Sequence, residues 1–166
     1  IAVGSLIKRK DMATVIEAFA QYNEKNSLLL IAGDGVELES LRKISTNQVV
    51  FLGAISNVVE HLQISDYFIS ASLAEGLPNT VLEAMACGLP CILSNIPSHI
   101  ELYDNVEGCF FNTKDVNRLV EVLKEAHLLL EYQKNVSLKQ IEEHFSAKMM
   151  SNKYQQLYEK KIDGTI

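Results

Sequence analysis

The sequence predicts an α/β domain, a doubly wound parallel sheet of about six strands with helices on both faces. Three observations predict it. Short apolar runs alternate with amphipathic stretches almost from end to end. The runs are continuously apolar rather than alternating, as befits strands covered on both faces. And 166 residues, 48% hydrophobic and 22% charged, suffice for one ordinary domain with a real core. Right-handed crossovers then wind the helices onto the two faces.

Residues 1–5 read as the first strand, running into the basic turn Lys8-Arg9-Lys10-Asp11. A helix follows, with Val15, Ile16, Phe19 and Ala20 on one face. Residues 27–32 form a run of buried-strand type, stopped by Gly33-Asp34-Gly35. Helical spacing resumes over 36–44 through Leu38 and Leu41; 49–52 is a strand, 58–64 a short helix and 67–70 the next strand. The helix over 79–87 has Pro78 suited to its first turn and Gly88 to its C-terminal stop. Residues 90–93 are a fifth strand, 98–102 a helical turn and 109–111 a sixth strand. Helical spacing then runs almost to the end, over about 115–161.

Fifteen Lys and Arg against 21 Asp and Glu leave a formal charge of −6, which argues against non-specific nucleic-acid binding. Cys87, Cys91 and Cys109 are odd in number and sit among apolar or small residues. That suits buried thiols in a reducing cytoplasm. No apolar stretch approaches the ~18 residues of a membrane-spanning helix. The chain opens on Ile1-Ala2-Val3-Gly4, inside an apparent strand and without initiator Met or basic leader. It is therefore expected to be a piece of a longer protein, with no signal peptide.

In such a sheet ligands bind outside the carboxyl ends of the strands, and the richest post-strand segment is 72–90. Glu75 lies in its loop and Glu83 inside the following helix, with Gly76, Leu77, Pro78, Asn79, Thr80 and Val81 between them. Gly76 offers the backbone to a ligand without a side chain in the way. The free N–H groups of Asn79, Thr80 and Val81 would stabilise an anion together with the helix dipole, and the two carboxylates would accept hydrogen bonds from sugar or ribose hydroxyls. A structural alternative stands beside this: Thr80-x-x-Glu83 matches a capping box, and Glu75 an ordinary loop acid. His61, His99, His127 and His144 are scattered, with no partner at motif spacing. Gly33-Asp34-Gly35 lacks the third glycine of a dinucleotide fingerprint, and Cys87-x3-Cys91 straddles a helix end and a strand, as core rather than a metal site. Neither Asp-x-Asp nor a His/Cys cluster with ligand spacing is present in the sequence.

The stretch from Glu75-Gly76-Leu77-Pro78-Asn79 through Glu83-Ala84-Met85-Ala86-Cys87-Gly88-Leu89-Pro90 closely resembles the E-x7-E signature of retaining GT-B glycosyltransferases of family 4. Val3-Gly4-Ser5-Leu6 with Lys10, Ile31-Ala32-Gly33-Asp34-Gly35 and Val50-Phe51-Leu52-Gly53 resemble the family's other blocks in the right order. The resemblance covers residues 1–166 as the C-terminal, Rossmann-like, donor-binding half of such an enzyme, without the N-terminal acceptor domain. It implies that Glu75 binds hydroxyls of the transferred sugar, aided by the amides of Gly76, Leu77 and Asn79 beside Pro78. Glu83 would hold the ribose hydroxyls, and Thr80 and Val81 would contact the diphosphate. Lys10 would neutralise the departing β-phosphate. Gly33 and the backbone of Phe51, Leu52 and Gly53 would line the ribose and base pocket. The family often carries Arg where this chain has Ser5, so Lys10 and the helix suffice, or Lys8 or Arg9 contributes, or charge stabilisation is weaker.

The implied reaction transfers a hexose or N-acetylhexosamine from a nucleoside diphosphate to an acceptor hydroxyl with retention. The donor is a UDP-sugar, or a GDP-sugar next. The transition state resembles an oxocarbenium ion, the leaving group is stabilised electrostatically, and no metal or cofactor is required. By resemblance Glu75 positions the sugar rather than attacking it. The setting implied is bacterial surface polysaccharide (O-antigen or capsule) synthesis, on a glycan or lipid-linked acceptor read by the other domain, peripherally on the cytoplasmic face of the inner membrane. This fragment alone is expected to be inactive. A nucleotide-sugar epimerase half-domain and a non-catalytic nucleotide-binding α/β module are the alternatives. Phe145, Met149, Met150, Tyr154, Leu157 and Tyr158 form a wide apolar face, expected to be partly exposed in the fragment and to promote self-association.

Overall fold

The computed structural model describes residues 1–102, 109–128 and 130–162, without the side chains of 130–133, 147, 150, 153, 157 and 160. Among the described residues six strands run parallel to their neighbours. β1 (Ala2–Val3), β2 (Leu29–Ala32) and β3 (Val49–Gly53) form one three-stranded sheet in the order β1-β2-β3. β4 (Phe68–Ser70), β5 (Cys91–Ser94) and β6 (Phe110–Phe111) form a second in the order β4-β5-β6. The halves meet at Ile1, whose carbonyl accepts from Ile69 N–H at 2.8 Å and whose nitrogen donates to Tyr67 O at 2.8 Å. The doubly wound parallel sheet of about six strands expected from the sequence is present, as two three-stranded ladders joined at a short seam. The reason is length: β1 is only two residues long, too short to run a full ladder on both edges.

Neighbouring residues of a strand feed opposite faces, as the two-residue period requires. Ile69, Ile92 and Phe111 join Val15, Ile16, Phe19 and Leu119 in one cluster. Phe68, Cys91, Leu93 and Cys109 join Leu62, Val81 and Met85 in the other. Both faces are therefore covered, which is why the strands read as unbroken apolar runs.

α1 (Met12–Tyr22) follows a 3-10 turn over Lys8–Lys10 and packs against α6 (Val116–Glu125) on the first face. α2 (Leu38–Ile44), α3 (Val58–Gln63) and α5 (Pro97–Ile100) are shorter crossovers. α4 (Asn79–Ala86) starts with Pro78 as its N-cap, one position before the expected first turn. It ends as the sequence suggested. Gly88, at φ 70°, donates to Met85 O at 2.9 Å and Leu89 to Ala84 O at 3.0 Å, the paired bonds of a Schellman stop. The C-terminal segment breaks into α6, a 3-10 turn (Ala126–Leu128), α7 (Leu130–Gln140), a π-helical turn (Ile141–Phe145) and α8 (Ala147–Ile162). α7 lies on α4. Phe145 packs on the second cluster, while Tyr154 and Tyr158 are exposed; the side chains of Met150 and Leu157 lie outside the described residues. Among the described residues no helix is long and apolar enough to cross a membrane.

Candidate functional site

The carboxyl ends of β1, β2 and β3 are drawn together by glycine. Gly4 donates to Ala32 O at 2.9 Å, and Gly33 to Gly53 O at 2.8 Å. Gly33 sits at φ 142°, and a Cβ there would stand 1.9 Å from Gly4 O, so this close backbone approach admits no side chain. Around it lies a cleft of about 310 Å³ lined by Val3, Gly4, Ser5, Gly33, Asp34, Ala54 and Ile55, among others. Ser5 and Gly33 both line this cleft. Phe51 and Leu52 do not line it. Phe51 packs on the core, with the Arg42 guanidinium 5.9 Å from its ring centre. The third wall comes one step later, from Ala54 and Ile55, and Gly53 contributes through the carbonyl that holds Gly33.

The 3-10 turn after β1 presents Lys10 and Arg9 to the loop after β4. Arg9 O accepts from Leu73 N–H at 2.8 Å, and Arg9 Nη1 donates to Ala74 O at 2.8 Å and Glu75 Oε2 at 2.9 Å. Lys10, whose stem lies against Gly4, donates from Nζ to Glu75 Oε1 at 2.5 Å. Ser72 Oγ donates to the same oxygen at 2.8 Å. Both oxygens of Glu75 are thus held, and its side chain is only 7% exposed. Burial pushes its pKa up, but the hydrogen bonds from Lys10 and Ser72, the charge of Lys10 and the bond from Arg9 outweigh it. The carboxyl is held below its ordinary range and is ionised.

A Cβ on Gly76 would meet nothing within 4 Å, and Leu77 is 62% exposed. Pro78 is buried and Asn79 exposed. Of the three amides expected to be free, Asn79 donates to Leu77 O at 3.0 Å and Val81 to Pro78 O at 3.0 Å. The turn at Pro78 consumes them. Of these three amides, Thr80 N–H alone has no backbone partner among the described residues. Val81's side chain belongs to the second cluster. The capping box is absent, because the N-cap is Pro78 rather than Thr80. Glu83 is exposed, and its side chain has no hydrogen-bond or ion-pair partner among the described residues.

His99, to which the sequence assigned no role, lies fully buried behind this loop. Its Nδ1 is 2.9 Å from Ser94 O, and Ser94 Oγ donates to Ser72 O at 2.6 Å. No motif spacing carries this, since the partners are hydroxyls and carbonyls at the end of β5 and in the loop after β4. Cys87, Cys91 and Cys109 form no disulfide among the described residues; burial pushes the thiol of Cys109 up to about 12.

A family model for glycosyl transferases group 1 matches residues 1–127. The N,N'-diacetylbacillosaminyl-diphospho-undecaprenol α-1,3-N-acetylgalactosaminyltransferase of Campylobacter jejuni is 27% identical over 98% of this chain and 44% of its own length. The N-acetyl-α-D-glucosaminyl L-malate synthase of Bacillus anthracis is 33% identical over 77% of this chain and 36% of its own. The chain spans less than half the length of these curated relatives. The crystal structure of Anabaena Alr3699/HepE in complex with UDP and glucose superposes with a TM-score of 0.81 at 18% identity, over 95% of this chain and 48% of that one. At that identity the likeness speaks for the fold alone, parallel strands flanked by helices.

Proposed function

The chain belongs to the glycosyl transferases group 1 family, and we propose that it is the donor-binding half of a retaining GT-B enzyme, taking a nucleoside-diphosphate sugar. The observation that carries this reading is the setting of two acids. Glu75 is ionised and clamped by Lys10, Arg9 and Ser72 beside the Gly4–Gly33 cleft. Glu83 stands free on the helix that follows. In this reading Glu83 accepts from the ribose hydroxyls, Gly33 and the Ala54 side of the cleft take ribose and base, and Thr80 N–H meets a phosphate oxygen.

Lys10 has the reach for two tasks. An ammonium has three N–H bonds, and Glu75 uses one, leaving two for the β-phosphate. Glu75 Oε2 holds Arg9 alone among the described residues, so one lone pair remains for a sugar hydroxyl. As the bond from sugar C1 to the β-phosphate oxygen breaks, negative charge grows on that oxygen next to Lys10, and the acceptor oxygen bonds to C1 on the same face while its proton passes to the departing phosphate oxygen. Such preorganised charge is worth several kcal/mol in a closed site. The step needs no divalent metal or cofactor. Arg9 supplies the second cation that Ser5 does not.

The acceptor is read by a companion domain, so the fragment alone binds donor without transferring it. The Campylobacter relative's name points to a lipid-linked glycan acceptor, which fits surface-polysaccharide synthesis at the cytoplasmic membrane face. The donor class is a UDP-hexose or UDP-N-acetylhexosamine. Thermal unfolding of the chain with UDP, GDP and FMN tests the reading. Nucleoside diphosphate at a hundredfold over Kd stabilises by about 2.7 kcal/mol, and FMN does not; an unmoved Tm with UDP and GDP overturns it. In the full-length enzyme, an α-linked product from an α-linked donor establishes retention.

A further inference from the structure

We infer that His99 is a positioning residue for Glu75, acting through Ser94 and Ser72 as the Nδ1–H tautomer. The inference rests on reading Glu75 as the carboxylate that holds the transferred sugar. His99 and Ser94 are both completely buried. Ser94 Oγ has one proton, and it is spent on Ser72 O at 2.6 Å. His99 Nδ1 therefore faces two acceptors, Ser94 O at 2.9 Å and Ser94 Oγ at 3.2 Å, and must itself carry the proton. Ser72 Oγ in turn donates to Glu75 Oε1 at 2.8 Å.

The donors run in one direction. The ring holds Ser94, Ser94 holds the carbonyl of Ser72, and the hydroxyl of Ser72 fixes one oxygen of Glu75. His99 Nε2 is buried without a partner among the described residues, which suits a bare lone pair and opposes a second N–H there. Burial lowers the affinity of the imidazole for a proton against the raising pull of Ser94 O and Glu75, and Lys10 lowers it further. The ring is neutral and the relay keeps one polarity. A staple that only filled the core would not need a donor at Nδ1; Leu would serve.

The test uses the full-length protein and the donor it cleaves fastest among UDP-glucose, UDP-galactose, their N-acetyl analogues and GDP-mannose. His99→Leu should lower kcat about ten- to a hundredfold, leaving KM and inhibition by UDP alone nearly unchanged. His99→Asn, which returns a donor near the Nδ1 position, should recover most of the loss. Glu75→Gln should cost at least as much, and the double variant His99→Leu with Glu75→Gln no more than Glu75→Gln alone, because the two act as one unit. Additive losses, or a harmless His99→Leu beside a damaging Glu75→Gln, overturn the inference while leaving the donor site standing. A harmless Glu75→Gln removes the donor-site reading and this inference with it. Should His99→Leu fail to fold, selective 15N-histidine spectra of the wild-type protein decide: protonated Nδ1 with bare Nε2 is expected, and an Nε2–H tautomer or a cation refutes it.

Discussion

Lys10 Nζ stands 2.5 Å from Glu75 Oε1, tying the turn after the first strand to the loop after the fourth. This pair makes stability depend on acid. The folded pKa of Glu75 lies below its ordinary value of 4.5, so its contribution is complete above that pH and is lost as pH falls through the lower folded value. In urea unfolding, the stability gap between wild type and Glu75→Gln should be flat from about pH 6 to 8 and narrow toward about pH 3. A gap that widens in acid would contradict the pairing.

Glu83 separates binding from folding. It is exposed on α4, and the helix start is completed without it. Glu83→Ala should therefore change unfolding free energy by less than about 0.5 kcal/mol. If its carboxylate takes ribose hydroxyls, UDP affinity measured by calorimetry should fall about tenfold or more, the worth of a charge-assisted hydrogen bond. A large stability loss with unchanged UDP affinity would restore the capping interpretation.

The fold was readable because both faces of the sheet are covered. Strand cores such as Leu29–Ala32 and residues 91–93 are apolar throughout, and Gly88 stops α4 where a left-handed residue is needed. The E-x7-E string likewise placed Glu75 and Glu83 on one loop and helix. Three things were not readable. A carboxylate's partners lie 65 and 66 residues away, so the engagement of Arg9 with Glu75 is a fact of topology rather than spacing. The amides of Asn79 and Val81 are spent because Pro78 turns its own carbonyl and that of Leu77 inward. Phe51 points to the core because strand parity, set by pairing with Ile31 and its shift at Ala32, carries the cleft wall on to Ala54.

The thiols should react in a fixed order. Cys87 is half-buried, with its pKa raised by burial and then by Glu83; Cys109 is fully buried and pushed up to about 12. At pH 8 a thiol of pKa 12 is ionised in only about one molecule in ten thousand, and it is the thiolate that alkylates. Native iodoacetamide labelling followed by mass spectrometry should modify Cys87 slowly and leave Cys91 and Cys109 untouched until denaturant is added. Native labelling of Cys109 ahead of Cys87 would contradict the packing of β6 on the second cluster.

Two glycines of the same site should answer oppositely to alanine. At Gly33 the backbone is at φ 142° and a Cβ would fall 1.9 Å from Gly4 O, a carbonyl that no side-chain rotation can move aside. Gly33→Ala should cost at least about 2 kcal/mol, as left-handed strain and backbone collision add. At Gly76 nothing lies within 4 Å of the same atom, and the backbone is not in the left-handed region. Gly76→Ala should leave stability unchanged or raise it by up to about 1 kcal/mol, through the lost freedom of the unfolded chain. The open space above Gly76 has a consequence for ligand binding if the donor sugar packs there, beside Glu75. The methyl group would then weaken the donor's binding in the full-length enzyme while leaving that of UDP unchanged. Calorimetry with both ligands decides it: equal weakening of UDP and donor would put the diphosphate, not the sugar, over this residue, and no weakening of either would move the sugar away from the loop.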